Sequence, residues 1–136
     1  IGHSIGFVDN YQIKQLQQVY QAQCEIMKQL AEKSNCVIVG RCADYILRDY
    51  NPYKIFVYAS LESRINRCIE RDEANTSKMT PKQIKKSILK IDKDRARYYD
   101  FYANQTWGDK NNYDLCINTT NANIKEVVQV ISKLFK

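Results

Sequence analysis

Three short apolar runs limit what this chain can fold into. Cys36–Val39, Lys54–Ala59 and Asp114–Asn118 are each only four to six residues long, and the stretches between them follow a helical period. Cys36-Val37-Ile38-Val39 is wholly apolar, the pattern of a strand buried on both faces of a parallel sheet. Ahead of it, from about Asp9 to Lys33, Ile13, Leu16, Tyr20, Met27 and Leu30 form one stripe of a long helix, expected to face a core. A short helix is expected over Ala43–Leu47, stopped by Asn51-Pro52, and Ser60 can cap a third helix reaching about Arg71. Thr80-Pro81-Lys82-Gln83 has the form of a capping box with proline in the first turn and predicts a helix to about Ala103. A last helix, from about Asn121 to Phe135, is expected to bury Ile124, Val127, Val128, Ile131 and Leu134. This alternation predicts an α/β fold, a parallel sheet with helices on both faces and right-handed crossovers.

At 136 residues the chain is the size of one domain, and 44% apolar with 26% charged residues is an ordinary globular balance. No apolar run reaches the roughly 18 to 20 residues that cross a bilayer, so a cytoplasmic protein without a membrane partner is expected. The five cysteines, Cys24, Cys36, Cys42, Cys68 and Cys116, show no metal or redox spacing and are expected to be free, buried thiols. With His3 the sole histidine, no imidazole metal site or histidine-based catalysis is expected.

The net charge of +6 is concentrated. Between Arg64 and Arg97 there are 11 Lys/Arg against 5 Asp/Glu, and the remainder balances at 10 of each. A local excess of this kind suits a polyanion, either a nucleotide phosphate group or a nucleic-acid backbone, or else forms a solvated helix face.

Ligands of open α/β sheets bind beyond the carboxyl ends of the strands. Gly40 and Arg41 lie there after the first run, with Asp44 one turn on; Arg41 could grip a phosphate with its planar fork of donors or simply pair with Asp44. Arg64, Arg67 and Arg71 stand at i, i+3 and i+7 on one helix face, an arrangement that invites an anion. On the next helix Ile84, Ile88, Ile91 and Arg95 share helical spacing, which would place Arg95 on the buried stripe and oblige it to meet a carboxylate or phosphate. Lys90, Asp94, Arg97 and Phe101 form the adjacent row, fit for a sugar, a phosphate and a base, or for a plain Lys90–Asp94 ion pair. The aromatic group Tyr98, Tyr99, Phe101, Tyr102 and Trp107 suits core packing more than base stacking. Thr119 and Thr120, beyond the last run, could contact a ligand or cap the final helix.

Taken in order, Val37-Ile-Val-Gly-Arg-Cys-Ala-Asp-Tyr-Ile-Leu47, Asp92-Lys-Asp-Arg-Ala-Arg-Tyr-Tyr99, and Trp107-Gly-Asp109 followed by Asn112-Tyr-Asp-Leu-Cys-Ile-Asn-Thr119 resemble the cytidylate kinase-like family of P-loop nucleoside-monophosphate kinases. The resemblance implies transfer of a phosphoryl group from ATP, with Mg2+, to CMP, dCMP or a related acceptor. Arg41, Asp44, Lys90, Asp94 and Arg97 would bind the acceptor; Arg67, Arg71, Arg95 and Arg97 would act on the transferring phosphate; Thr119 and Thr120 would lie on the cofactor side. It also implies a mobile lid at about 72–90 within one domain spanning 1–136. The family's glycine-rich loop does not occur, since nothing fits GxxxxGK[ST] and the glycines are Gly2, Gly6, Gly40 and Gly108. The chain opens Ile1-Gly2-His3, so an amino-terminal strand and loop preceding it are expected, and these residues alone are not expected to turn over. Alternatives are a non-catalytic nucleotide-binding regulator, or a nucleic-acid-binding module using the basic 64–97 segment; under the kinase reading nucleic acid is not expected as a partner.

Overall fold

The computed structural model describes residues 10–73 and 79–135; His3 and residues 74–78 of the expected lid lie outside them. The described residues divide into two compact units that meet in sequence between Pro52 and Tyr53.

The first unit holds helix α1 (Asn10–Lys33) and the short helix α2 (Ala43–Ile46), followed by a 3-10 turn at Arg48–Tyr50. The predicted long helix forms, but its apolar stripe is only partly covered. Met27 is buried, whereas Ile13, Leu16 and Leu30 are exposed. The Tyr50 hydroxyl donates to Glu32 Oε1 at 2.6 Å, tying the 3-10 turn to the last turns of α1 and holding the phenol above its usual pKa. Asn51 closes the unit at φ 51, in the left-handed region that asparagine tolerates.

The expected strand at Cys36–Val39 is not one. Val37 and Val39 are 94% and 88% exposed, and the run makes no ladder among the described residues. β-branched residues favour extended backbone, but a strand also needs a neighbour for its N–H and C=O groups, and none pairs with this run.

The second unit is a β-helix-helix-β crossover closed by a fifth helix. Strands β1 (Ile55–Tyr58) and β2 (Leu115–Asn118) are parallel, with Ile55 opposite Leu115 and Tyr58 opposite Asn118. Helices α3 (Leu61–Glu73) and α4 (Pro81–Ala103) lie between them in sequence and pack on each other; α5 (Ile124–Ser132) and a 3-10 turn at Lys133–Phe135 follow β2. The sheet is therefore parallel as expected, with two strands among the described residues.

Local signals placed the ends of these elements well. Thr80 Oγ1 accepts from the Gln83 N–H while the Gln83 side chain accepts from the Thr80 N–H, so the capping box forms with Pro81 at the first helical position. Residues 81–90 of the expected lid are thus regular helix. Ser60 Oγ accepts from the Ser63 N–H at the start of α3. The last helix is capped by Asn123 rather than by Thr119 or Thr120, and its Ile124 and Val128, with Leu134 in the 3-10 turn after it, are exposed instead of buried.

One face of β1 is walled by aromatic rings. Phe56 packs on Trp107 and Tyr113, with ring centroids 5.5 and 4.8 Å away. Gly108 lies against the same ring: it holds φ +81, and a Cβ there would come within 3.1 Å of Phe56. Changing Gly108 to alanine should therefore cost about 1–3 kcal/mol, from left-handed backbone strain and crowding of the ring. Urea unfolding followed by Trp107 fluorescence measures it, and an unchanged midpoint would refute this account of Gly108.

Candidate functional site

The arginines of the second unit sort into two groups. Arg64 reaches from α3 to Asp92 on α4 in a bidentate pair of 2.6 and 2.8 Å, which also holds the guanidinium more firmly charged. Arg67, one turn on, donates to the hydroxyl of Thr119 at 3.1 Å and to its backbone carbonyl. These two arginines are engaged in joining α3 to its neighbours. Arg71, in the last turn of α3, is exposed.

Arg95 departs from its expected place. Its side chain is 60% exposed, and it touches Asp92 only at 3.8 Å. The buried line of α4 runs Ile84, Ile88, Tyr99 and Ala103, with Asp92 on the inward path between Ile88 and Tyr99. From Ile88 both i+3 and i+4 are permitted steps, and Ile91 looked the better choice on hydropathy. Arg64 decides otherwise, because an inward carboxylate gives its partly buried guanidinium a partner, whereas Ile91 could not. Asp92 is thus the residue that sequence reasoning left out of the site, and its signal was the helical spacing from Ile88 to Tyr99 through a carboxylate.

Lys90, Asp94 and Arg97 lie exposed along α4, and Phe101 is 79% exposed beyond them. The Lys90–Asp94 ion pair does not form, and Arg97 makes no ion pair among the described residues. Tyr99 is the aromatic that enters the core, its hydroxyl donating to Gln105 Oε1 at 3.0 Å.

Thr119 and Thr120 build the seam beyond the strands. The N–H and hydroxyl of Thr119 both donate to the Tyr58 carbonyl, at 2.8 and 3.1 Å, and Thr119 is 3% exposed. Thr120 Oγ1 accepts from the Ser60 N–H at 2.9 Å and donates to Asn118 Oδ1 at 2.7 Å. Each hydroxyl donates one hydrogen bond and accepts one within the protein.

In the first unit Gly40, Arg41 and Cys42 run through three consecutive left-handed positions, with φ 73, 58 and 54. Non-glycine residues pay about 1–2 kcal/mol each there, and such strain gathers at ligand sites. The Cys42 carbonyl is turned to accept the N–H groups of Tyr45 and Ile46, which starts α2 with Asp44 in its first turn. Arg41 is exposed and makes no ion pair among the described residues, while Asp44 is half-buried. Burial first, then the charges of Asp44 and Cys24, push the Cys42 thiol up from 9.0 to about 11.

Among the described residues no group of three or more His, Cys, Asp or Glu is arranged to hold a metal ion. All five cysteines are free, but against the expectation of buried thiols only Cys42 is buried; Cys24, Cys68 and Cys116 are half-buried and Cys36 is exposed.

Two outcomes are expected from this geometry. Replacing Asp92 by asparagine should destabilise the protein by about 1–2 kcal/mol, less than a fully buried charged pair because both side chains are part-exposed. In a double-mutant cycle with Arg64→Met most of that loss should disappear, and additive losses would show that the pair is not coupled. The raised Cys42 thiol keeps its proton in the fold, so its contribution to stability is present below pH 9 and lost as pH rises toward 11. At pH 8 its thiolate fraction is about a hundredfold below that of an ordinary thiol. Peptide mapping after iodoacetamide treatment should find Cys36 labelled first and Cys42 last; early labelling of Cys42 would contradict its burial.

Comparison with known proteins agrees with the ordered motifs. Residues 4–121 match the family model described as the Cytidylate kinase-like family. A cytidylate kinase of Saccharolobus islandicus is 26% identical over 107 residues, covering 79% of this chain and 54% of that protein. One from Clostridium tetani is 32% identical over 112 residues, covering 82% of this chain and 47% of the relative. The chain thus spans about half the length of the curated relatives it matches. A crystal structure of an uncharacterized protein from Eubacterium ventriosum superimposes with TM-score 0.76 at 31% identity, over 88% of this chain and 65% of that one. A match of this extent, with the three motifs in order, places the chain in the cytidylate kinase-like family.

Proposed function

We propose that the protein is a nucleoside-monophosphate kinase, transferring the terminal phosphoryl group of ATP, with Mg2+, to CMP or dCMP. Family membership and the names carried by the relatives support the reaction class. The observation that carries the reading is how the arginines divide. Arg64 and Arg67 are spent on the fold, whereas Arg41 and Arg97 stand exposed without ion pairs among the described residues. Phosphoryl transfer needs little covalent chemistry from a protein and much positioning and neutralisation of charge, which free guanidinium groups supply.

On this reading Arg97 addresses the acceptor phosphate from the second unit, with Lys90 and Asp94 on the same helix contacting the rest of the acceptor, and in the first unit Arg41 and Asp44 are acceptor-binding residues. Arg71 and Arg95 neutralise the transferring group. Arg67, Thr119 and Thr120 act by positioning, since their polar atoms hold α3 against the ends of both strands. The stretch at about 72–90 serves as a lid. Mg2+ would supply charge neutralisation between donor phosphates. These 136 residues contain no GxxxxGK[ST] and, among those described, no group of three or more His, Cys, Asp or Glu arranged to hold a metal ion, so the residues present do not by themselves fit the donor and its ion.

Calorimetric titration with CMP should show binding, and Arg41→Ala or Arg97→Ala should weaken it roughly tenfold to a hundredfold, the worth of a charge-assisted hydrogen bond. ATP consumption by the encoded protein should depend on the monophosphate. Binding without transfer would favour a nucleotide-binding regulator, and failure to bind or phosphorylate any common monophosphate would dismiss the reading.

A further inference from the structure

The outward side of α4 holds a row of cations that acceptor binding leaves largely unused. Lys82, Lys86, Lys90, Lys93 and Arg97 stand at i, i+4, i+8, i+11 and i+15, so they share one face, and all five are exposed. Phe101, 79% exposed, continues the row by one more turn. The ion pairs of α4 among the described residues belong to Asp92, on the side that carries Ile84 and Ile88, so no carboxylate neutralises the row. Asp94 and Asp100 are exposed nearby on the same helix without pairing to it.

Like charges one turn apart oppose helix formation unless an anion joins them. At 1.5 Å per residue the five cations extend over about 22 Å, roughly twice the Debye length at 0.1 M salt. A single mononucleotide therefore engages only part of the row. A chain of phosphates engages all of it, and an exposed aromatic ring at its end offers a base a surface to stack on.

We propose that this face of α4 binds single-stranded nucleic acid through its phosphate backbone, with Phe101 stacking on a base. The surface shares Lys90 and Arg97 with the reading given above, whereas Lys82, Lys86, Lys93 and Phe101 have no part in acceptor binding, so variants at those four positions test this proposal apart from that reading.

The test is fluorescence anisotropy with fluorescein-labelled oligouridylate and oligothymidylate of about 20 nucleotides, longer than the site sizes usual for such surfaces. Five phosphate contacts predict that log K falls against log salt with a slope of about −3.5. The triple variant Lys82→Glu, Lys86→Glu, Lys93→Glu should bind roughly 30-fold more weakly at 0.1 M salt, with the slope reduced by about 2. Lys110→Glu, Lys125→Glu, Lys133→Glu changes the net charge equally away from α4 and should stay within about twofold. Phe101→Ala should lose roughly tenfold, and circular dichroism should show α4 intact; if the glutamate triple unfolds, the corresponding glutamine triple is read instead, with the same loss expected. Binding of either oligonucleotide with this pattern supports the proposal. No binding, equal losses in both triple variants, a slope shallower than −1, an unaffected Phe101→Ala variant, or a duplex bound as tightly as the single strand would each overturn it.

Discussion

At the carboxyl ends of β1 and β2 the ladder runs out of partners, and Thr119 supplies them. Its N–H and hydroxyl close on the Tyr58 carbonyl, and its own carbonyl and hydroxyl receive Arg67 from α3. A two-strand parallel pair is a weak unit by itself, and α3 is held to it at this point. Asp114 seals the opposite end by accepting from the Lys54 N–H at 2.6 Å. With both ends bonded by side chains, the register from Ile55–Leu115 to Tyr58–Asn118 has little room to slip.

From α3 the order passes to α4 through Arg64 and Asp92. A bidentate guanidinium–carboxylate pair fixes direction as well as distance, so α4 is set in rotation about its axis as well as in position. That rotation turns Ile84, Ile88, Tyr99 and Ala103 inward and leaves the lysines, Arg97 and Phe101 outward. One ion pair thus determines which of the many cations of this segment meet solvent.

The first unit is organised differently. Its backbone does the work at Gly40–Cys42, where three left-handed residues turn the chain out of an exposed apolar run and into α2. Such a turn presents Arg41 at a fixed point with Asp44 in the first turn of α2. For the second unit the Trp107-Gly108-Asp109 motif has a packing role: its glycine admits the Phe56 ring, and Asp109 caps the turn that leads to β2.

Much of the secondary structure was determined by sequence alone, because local chemistry suffices for it. Thr80, Pro81 and Gln83 specify where α4 begins regardless of what surrounds it, and the two paired strands fall on their apolar runs. The ordered motifs likewise carry the family signature in the sequence itself. What only tertiary structure decided were the choices that depend on a partner distant in sequence. Cys36–Val39 has strand composition but no neighbour among the described residues to complete its hydrogen bonds. Arg95 and Asp92 both lie within one step of the Ile88 stripe, and only the approach of Arg64 from another helix made the carboxylate face inward. Thr119 had the chemistry of a cap or a ligand contact, and its hydroxyl is bonded to Tyr58 and Arg67, more than fifty residues away, because the fold brings the last carbonyl of β1 and the guanidinium of α3 to its buried side chain. A sequence states what each residue can bond to; which bond is made depends on where the fold brings its partner.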